Sequence, residues 1–242
     1  MDRMIYLSMA AAQATMRRQE VLSHNLANVS TNGFRAEMAA LRAVPVRGDG
    51  ASTRVYALET TIGHDTSPGM VQTTGRALDV AARGKAWFAV QGLDGTEAYT
   101  RAGSLEVGAD GVLVDVAGRP VLGDGGPLTI PANAAVEIAA DGTVTAKAAG
   151  GAPQPVGRLK MVTPEVPLQR GPDGLFRGAG GDLPADPNAR LQSGALEGSN
   201  VSAIETMVAM IAAARQFEQQ MKAVHSVEQK EQAASKLLSA SA

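Results

Sequence analysis

Apolar residues recur every three to four positions at both ends of the chain and roughly every two positions in its middle. From about Arg3 to Ala27 the stripe is Ile5, Met9, Ala12, Met16, Gln19, Leu22 and Leu26, the spacing of one helix face. In heptad terms Ile5, Ala12, Gln19 and Leu26 share one register, and Met9, Met16 and Ser23 share the other. From Ser202 to Leu238 there is neither Pro nor Gly, and Ile204, Met207, Val208, Ile211, Ala214, Phe217, Met221, Val224 and Val227 repeat the period. A helix over that span runs roughly 55 Å at 1.5 Å per residue. Such a helix needs a partner, so the two ends of the chain are expected to pair, within one chain or between subunits. Thr206 to Ala214 is so weakly polar that it predicts contacts on more than one side. Ser202 followed by Glu205 is a capping-box pattern, with Ser199 and Asn200 as alternative caps.

The middle of the chain changes period. Short strands are expected near Ala77–Ala81, Ala86–Gln91, Ala98–Thr100, Ser104–Val107, Val112–Asp115, Pro120–Leu122, Leu128–Ile130, Val136–Ile138, Thr143–Thr145 and Gly157–Val162, because these are β-branched or aromatic runs bounded by turn residues. Asp94-Gly95, Asp110-Gly111, Asp141-Gly142 and Asp173-Gly174 stand between runs and supply hairpin turns. Trp87, Phe88 and Tyr99 are expected to form one small aromatic core. Asn25 to Arg35 is rich in Asn, Ser and Thr and holds Asn32-Gly33, which predicts a tight reversal after the first helix. Between Phe34 and Met70 the period weakens. Arg54 to Ile62 reads as an imperfect extended segment, and Arg47-Gly48-Asp49 reads as a surface turn rather than an adhesion motif. After Thr163-Pro164 the chain is loop-like until Leu191–Glu197, a short extended return.

The fold class is therefore α+β. Long N- and C-terminal helices pair in a coiled-coil-like α domain, into which an extended connector and an all-β domain of short strands, an irregular barrel or sandwich, are inserted. The expected domains are 1–34 for the first helix, 35–76 for the connector, 77–190 for the β domain and 191–242 for the return strand and last helix.

Composition narrows the function. Aromatics make up 3% of the chain and Trp87 is its one tryptophan, so cores should be thin and backbones closely packed. There is no cysteine, which removes disulfides, thiolate metal sites and a cysteine nucleophile. A formal net charge of -2 and the lack of a Lys/Arg-rich run argue against a nucleic-acid partner. Met1 to Ala12 has an early Arg, but Asp2 interrupts the basic region and Gln13, Arg17, Arg18 and Glu20 follow on a helical period. The start is expected to be mature structure rather than a signal peptide, and no run is long enough to insert in a membrane.

Catalytic chemistry finds little support. His24, His64 and His225 are far apart and have no carboxylate at ligand spacing, so no metal is expected. Gly123–Gly126 leads into Pro127 and a strand, and Gly178–Gly181 lacks a following Lys-Ser/Thr; neither forms a phosphate loop. Ser104 lacks the frame of a nucleophile elbow. Glu97, Glu106, Asp110 and Asp115 read as strand-edge and turn groups. No catalytic residue, cofactor or metal is assigned, and assembly through the terminal helices is the remaining function. A membrane-surface use of the last helix is disfavoured by the lack of a basic face and aromatic anchors.

Several motifs together resemble the flagellar rod and hook protein family. They are Met1-Asp2-Arg3-Met4-Ile5-Tyr6, Asn25 to Arg35, Gly84-Lys85-Ala86-Trp87-Phe88-Ala89-Val90, Tyr99-Thr100-Arg101-Ala102-Gly103-Ser104-Leu105, Gly118 to Gly123, Gly194 to Val201, and Arg215 to Lys222. Asn32 stands where members often carry Thr or Pro, and Trp87 where Phe is more usual. The short length fits a rod protein better than a hook protein, and the Met1–Tyr6 opening and the segment after Phe217 are nearer to a proximal rod component than to a distal one.

The resemblance implies a structural subunit without enzymatic activity. It would be exported by the flagellar type III apparatus without signal cleavage and assembled helically with copies of itself and neighbouring rod proteins. It would then transmit torque across the periplasm. A distal rod role, or a secreted β-rich enzyme with helical oligomerisation arms, are the alternatives. Under the rod reading the assembly interface is expected at Ile5, Met9, Ala12, Met16, Leu22 and Leu26 on the first helix. On the last helix it is expected at Ile204, Val208, Ile211, Phe217, Met221 and Val224. Asn28, Asn32, Gly33 and Phe34 are expected to shape the exit from the first helix, and Asn200 and Glu205 the entry to the last.

Overall fold

In the computed structural model, residues 3–45, 55–148 and 150–240 are described. Arg47-Gly48-Asp49 and the side chain of Ile5 lie outside the described residues. The chain divides into two compact units. One comprises Met1–Asn28, Glu37–His64 and Val201–Ala242, and the other Val29–Ala36 and Asp65–Asn200.

The first unit pairs helix α1, Arg3–Ala27, with helix α2, Ala203–Ala240, beside a hairpin of β1, Glu37–Pro45, and β2, Val55–His64. The hairpin carries a bulge between Met38 and Ala39. Thus the region of weak period is an antiparallel ribbon. The two helices bury a seam of small and polar residues, Ala12 and Thr15 from α1 and Thr206, Ala213 and Val224 from α2. Thr15 Oγ1 donates to Gln220 Oε1 at 3.0 Å across this seam. Small side chains let helix axes approach closely, so much of the seam's stabilisation is dispersion between close-packed backbones. Ser202 caps α2 on one side only, its Oγ accepting from the Glu205 N–H at 3.4 Å while Thr206 Oγ1 donates to the Ser202 carbonyl at 2.8 Å.

The second unit is an all-antiparallel β domain. In chain order its strands are β3 Val71–Thr73, β4 Val80–Ala82, β5 Trp87–Gln91, β6 Glu97–Thr100, β7 Leu105–Val107, β8 Leu113–Asp115, β9 Leu122–Gly123 and β10 Gly126–Pro127. They continue with β11 Ala135–Ile138, β12 Thr143–Lys147, β13 Gln154–Arg158, β14 Met161–Val162, β15 Gln169–Arg170, β16 Phe176–Arg177, β17 Leu191–Ser193 and β18 Ala195–Glu197. The largest sheet has the order β14-β5-β6-β16-β15, a second has β11-β12-β13, and β17 and β18 return to pair with β4 and β3.

The expectation of one aromatic core fails for a simple reason. Trp87 and Phe88 are consecutive on β5, and successive strand residues point to opposite faces. Phe88 and Val90 join the main core with Leu105, Leu113, Val121 and Met161. Trp87 and Ala89 join Tyr99, Val162, Leu168 and Phe176 on the other face, with the Trp87 and Phe176 rings 4.7 Å apart and tilted. The sheet is covered on both faces. Two carboxylates read as strand-edge and turn groups carry ion pairs: Asp115 is buried against Arg119 at 2.6 Å, and the half-buried Glu97 pairs with Lys160 at 2.7 Å.

All four Asp-Gly dipeptides form turns with the glycine at positive φ, where only glycine is free of Cβ strain. In each, the Asp side chain accepts the N–H two residues on, at Thr96, Val112, Thr143 and Leu175, which replaces a backbone partner and fixes the turn. Three of these carboxyls titrate below their ordinary value of 3.8: Asp94 through its bond from the Thr96 hydroxyl, Asp141 through the Thr143 N–H, and Asp173 through Arg177. A carboxyl depressed in the folded state stabilises the fold fully above its unfolded value and loses that contribution as the pH falls through the folded one. The thermal midpoint of the β domain should therefore hold nearly level from about pH 7 to 5 and fall between about pH 4 and 2. Calorimetry across that range checks it; a midpoint flat to the acid end would contradict it.

Candidate assembly surface and the junction in the β domain

Strand alternation turns Ala195 and Glu197 of β18 inward while Leu196 stays half-buried. An acid aimed into a core needs a cation, and Glu197 receives two. Its Oε1 accepts from Arg35 Nη2 at 2.6 Å and from the Gly69 N–H at 2.8 Å. Its Oε2 accepts from Arg101 Nε at 2.8 Å and Nη2 at 2.6 Å. All three side chains are 2% exposed or less. Arg101 also donates through Nη1 to the carbonyls of Gly84 and Ala86. Both guanidiniums lie about 6 Å from the centre of the Trp87 ring, at 5.9 and 6.0 Å, within cation–π range. Burial pulls the Arg101 guanidinium down from its ordinary value; Glu197 opposes that shift and the neighbouring charge of Arg35 adds to it.

The segment after α1 is drawn into the same junction. Gly33 has φ +70 and donates its N–H to the Glu197 carbonyl at 2.8 Å; a Cβ on it would stand 2.3 Å from the Arg101–Ala102 backbone. Phe34 is buried beneath the Arg170 guanidinium, 4.6 Å from the ring centre. Asn200 ties together two passing segments of chain: Oδ1 accepts the Ala36 N–H at 2.7 Å, and Nδ2 donates to the carbonyls of Asp65 and Ser67 at 3.1 and 3.0 Å. Gly69 and Gly198 meet so closely that a Cβ on Gly69 would lie 2.1 Å from the Gly198 oxygen. Gly33, Phe34 and Asn200 are thus engaged inside their own domain. Asn32 is half-buried beside them.

Other expected interface residues occupy the helices. Leu22, Leu26, Phe217 and Met221 are half-buried, and Ala12 and Val224 are buried in the α1–α2 seam. Asn28 closes α1, its Nδ2 donating to the His24 carbonyl at 2.9 Å. Met9 and Met16 on α1 are exposed. On α2, Ile204, Met207, Val208 and Ile211 are 78, 51, 62 and 55% exposed, one apolar stripe at helical spacing with Glu205 exposed beside it. Thr206 and Ala213 turn into the pair while these four turn away from it, so the weakly polar stretch of α2 presents two faces. Asn25, which the apolar period of α1 does not mark, is buried and joins β1 to α1, its Oδ1 accepting the Glu37 N–H at 2.8 Å and its Nδ2 donating to the Glu37 carbonyl at 2.9 Å.

No group of three His, Cys, Asp or Glu side chains able to hold a metal occurs among the described residues. Among them, too, no helix is long and apolar enough to cross a membrane.

Three family descriptions match the chain in turn: the flagella basal body rod protein over residues 5–35, the flagellar hook protein FlgE/F/G D1 domain over 81–146, and the flagellar basal body rod FlgEFG protein C-terminal over 192–237. The flagellar basal-body rod protein FlgF of Salmonella typhimurium is 48% identical over the whole of both chains, and that of Escherichia coli is 47% identical, again over the whole of both. The chain belongs to the FlgF family of flagellar basal-body rod proteins. FlgG of Agrobacterium fabrum is more distant, 29% identical over 92% of this chain and 94% of its own.

FlgF family membership gives the junction its context. The motifs from Asn25–Arg35, Gly84–Val90, Tyr99–Leu105 and Gly194–Val201 are scattered in sequence, but Gly33, Arg35, Trp87, Arg101, Glu197 and Asn200 bring all four stretches to one place in the β domain. What these stretches specify is an internal lock. The apolar face left open is on α2.

Proposed function

We propose that this chain is a structural, non-enzymatic subunit of the proximal rod of the bacterial flagellar basal body, assembling helically with copies of itself and with neighbouring rod proteins through its terminal helices. In that role it leaves the cytoplasm through the flagellar type III export apparatus without a cleaved signal peptide, occupies the periplasm and transmits torque.

The observation that supports this most is the stripe Ile204, Met207, Val208 and Ile211, exposed beside a helix seam that is already filled. Four large apolar side chains in a row on one helix face form a surface that water disfavours. Removing it from water against another helix contributes about 25 cal/mol per Å² of apolar area. The opposite face of α2 is taken, so the partner comes from another subunit.

Imaging isolated basal bodies with and without the chain tests this role. Loss of a rod segment in cells lacking it is the expected result, with restoration on re-expression. Complete rods in its absence would overturn the proposal.

A further inference from the structure

We propose that the β domain makes a second contact between copies of this chain, in which Leu93 of one copy enters a basic-rimmed apolar cavity beside β4 of the next. This contact rests on the rod reading above and adds to it a surface outside the helices.

Leu93 tips the β5–β6 hairpin and is 93% exposed. The turn that carries it is braced. Gly92 N–H donates to the Thr96 carbonyl at 2.8 Å and Gly95 N–H to the Gly92 carbonyl at 3.0 Å. Asp94 Oδ1 accepts from both the Thr96 N–H and hydroxyl. Its Oδ2 accepts from Arg177 Nη2 at 3.2 Å, and the same nitrogen lies 2.8 Å from Asp173. A large apolar side chain held in water on a rigid turn loses little freedom on docking, which favours its use as an anchor. Two carboxylates share one guanidinium at its base, so the surroundings of the knob are negative.

The cavity has a volume of about 360 Å³ and apolar walls from Pro68, Val71, Ala81 and Ala82. The exposed Arg83 is part of its lining. Glu197 at the floor is already answered by Arg35 and Arg101. The hole is therefore positive where the knob is negative. Knob and hole are different surfaces of the same chain, and a contact between unlike surfaces propagates copy after copy in an open helix instead of closing a dimer. One side chain is far too small an interface to hold two free chains; the contact fixes the register of chains already joined through α2.

The absence of cysteine makes disulfide trapping a clean test. Basal bodies containing a Leu93→Cys, Val71→Cys double variant, oxidised with copper phenanthroline, should yield a ladder of covalent oligomers; each single variant should stay monomeric, and the two singles mixed should stop at dimers. The purified Leu93→Asp variant should keep the wild-type thermal midpoint while its content in basal bodies falls about tenfold, the change that about 1.4 kcal/mol produces. A double variant that is incorporated yet monomeric after oxidation, dimers from Leu93→Cys alone, or wild-type incorporation of Leu93→Asp would each overturn this contact and leave the rod reading intact. Absence of the wild-type chain from basal bodies would overturn both.

Discussion

Replacing Glu197 by Ala is expected to lower the thermal midpoint of the β domain by about 10–20 °C. The carboxylate holds two guanidiniums that are as buried as it is, together with the Gly69 N–H. Removing one partner of a buried ion pair costs roughly 3–5 kcal/mol because the other charge stays behind without an answer, and a domain of this size shifts by a few degrees per kcal/mol. Relaxation cannot recover much. Arg101 is tied to the Gly84 and Ala86 carbonyls, and Gly33 leaves no room for the backbone over Arg101 and Ala102 to move. Glu197→Gln keeps a carbonyl oxygen for one donor and should lose less. A shift below about 3 °C for the alanine variant, read by calorimetry, would mean that the triad is not what holds this region together.

The two terminal helices were legible because their period is long and uninterrupted; the sequence places α1 at Arg3–Ala27, where the structure has it, and α2 within two residues. Many strands of the β domain were legible from their turn residues, but β1, β3, β15 and β16 lie in stretches without that pattern, and Leu128–Ile130 forms only an isolated bridge at Thr129. Which side chains meet was not. Alternation could have separated Trp87 from Phe88, since neighbours on one strand cannot share a face. The same alternation puts Glu197 on the inward side with Ala195, a signal for a buried acid in want of cations, but nothing in the spacing says that Arg35 and Arg101, 162 and 96 residues away, supply them. The seam of the helix pair was not legible for another reason. Met9, Met16, Ile204 and Ile211 are the bulkier apolar residues, yet the chain buries Ala12, Thr15, Thr206 and Ala213 and leaves the large ones outside. A helix with two apolar faces gives one period on a helical plot, and size alone does not say which face its own chain uses.

Ile211→Asp separates those two faces. Ile211 is exposed in the chain, so a carboxylate there meets water and should change the stability of the free subunit by no more than about 0.5 kcal/mol. In the assembled rod the same carboxylate would have to leave water with no cation supplied for it. Burying an unpaired charge against an apolar surface costs several kcal/mol, and each 1.4 kcal/mol is about tenfold in an equilibrium. Incorporation should therefore fall by about a hundredfold or more, while Ile211→Leu keeps the area and behaves as wild type. Ala213→Asp, one helix face away in the filled seam, should instead damage the helix pair itself and be visible as lost helicity before any assembly.

The amount of the Ile211→Asp chain recovered in purified basal bodies, from cells that export it at the wild-type level, is the most direct test of α2 as the surface through which copies join. About one hundredth of the wild-type amount or less, from a subunit whose circular dichroism and thermal midpoint are unchanged, is the predicted result; wild-type amounts in complete, rotating rods would contradict it.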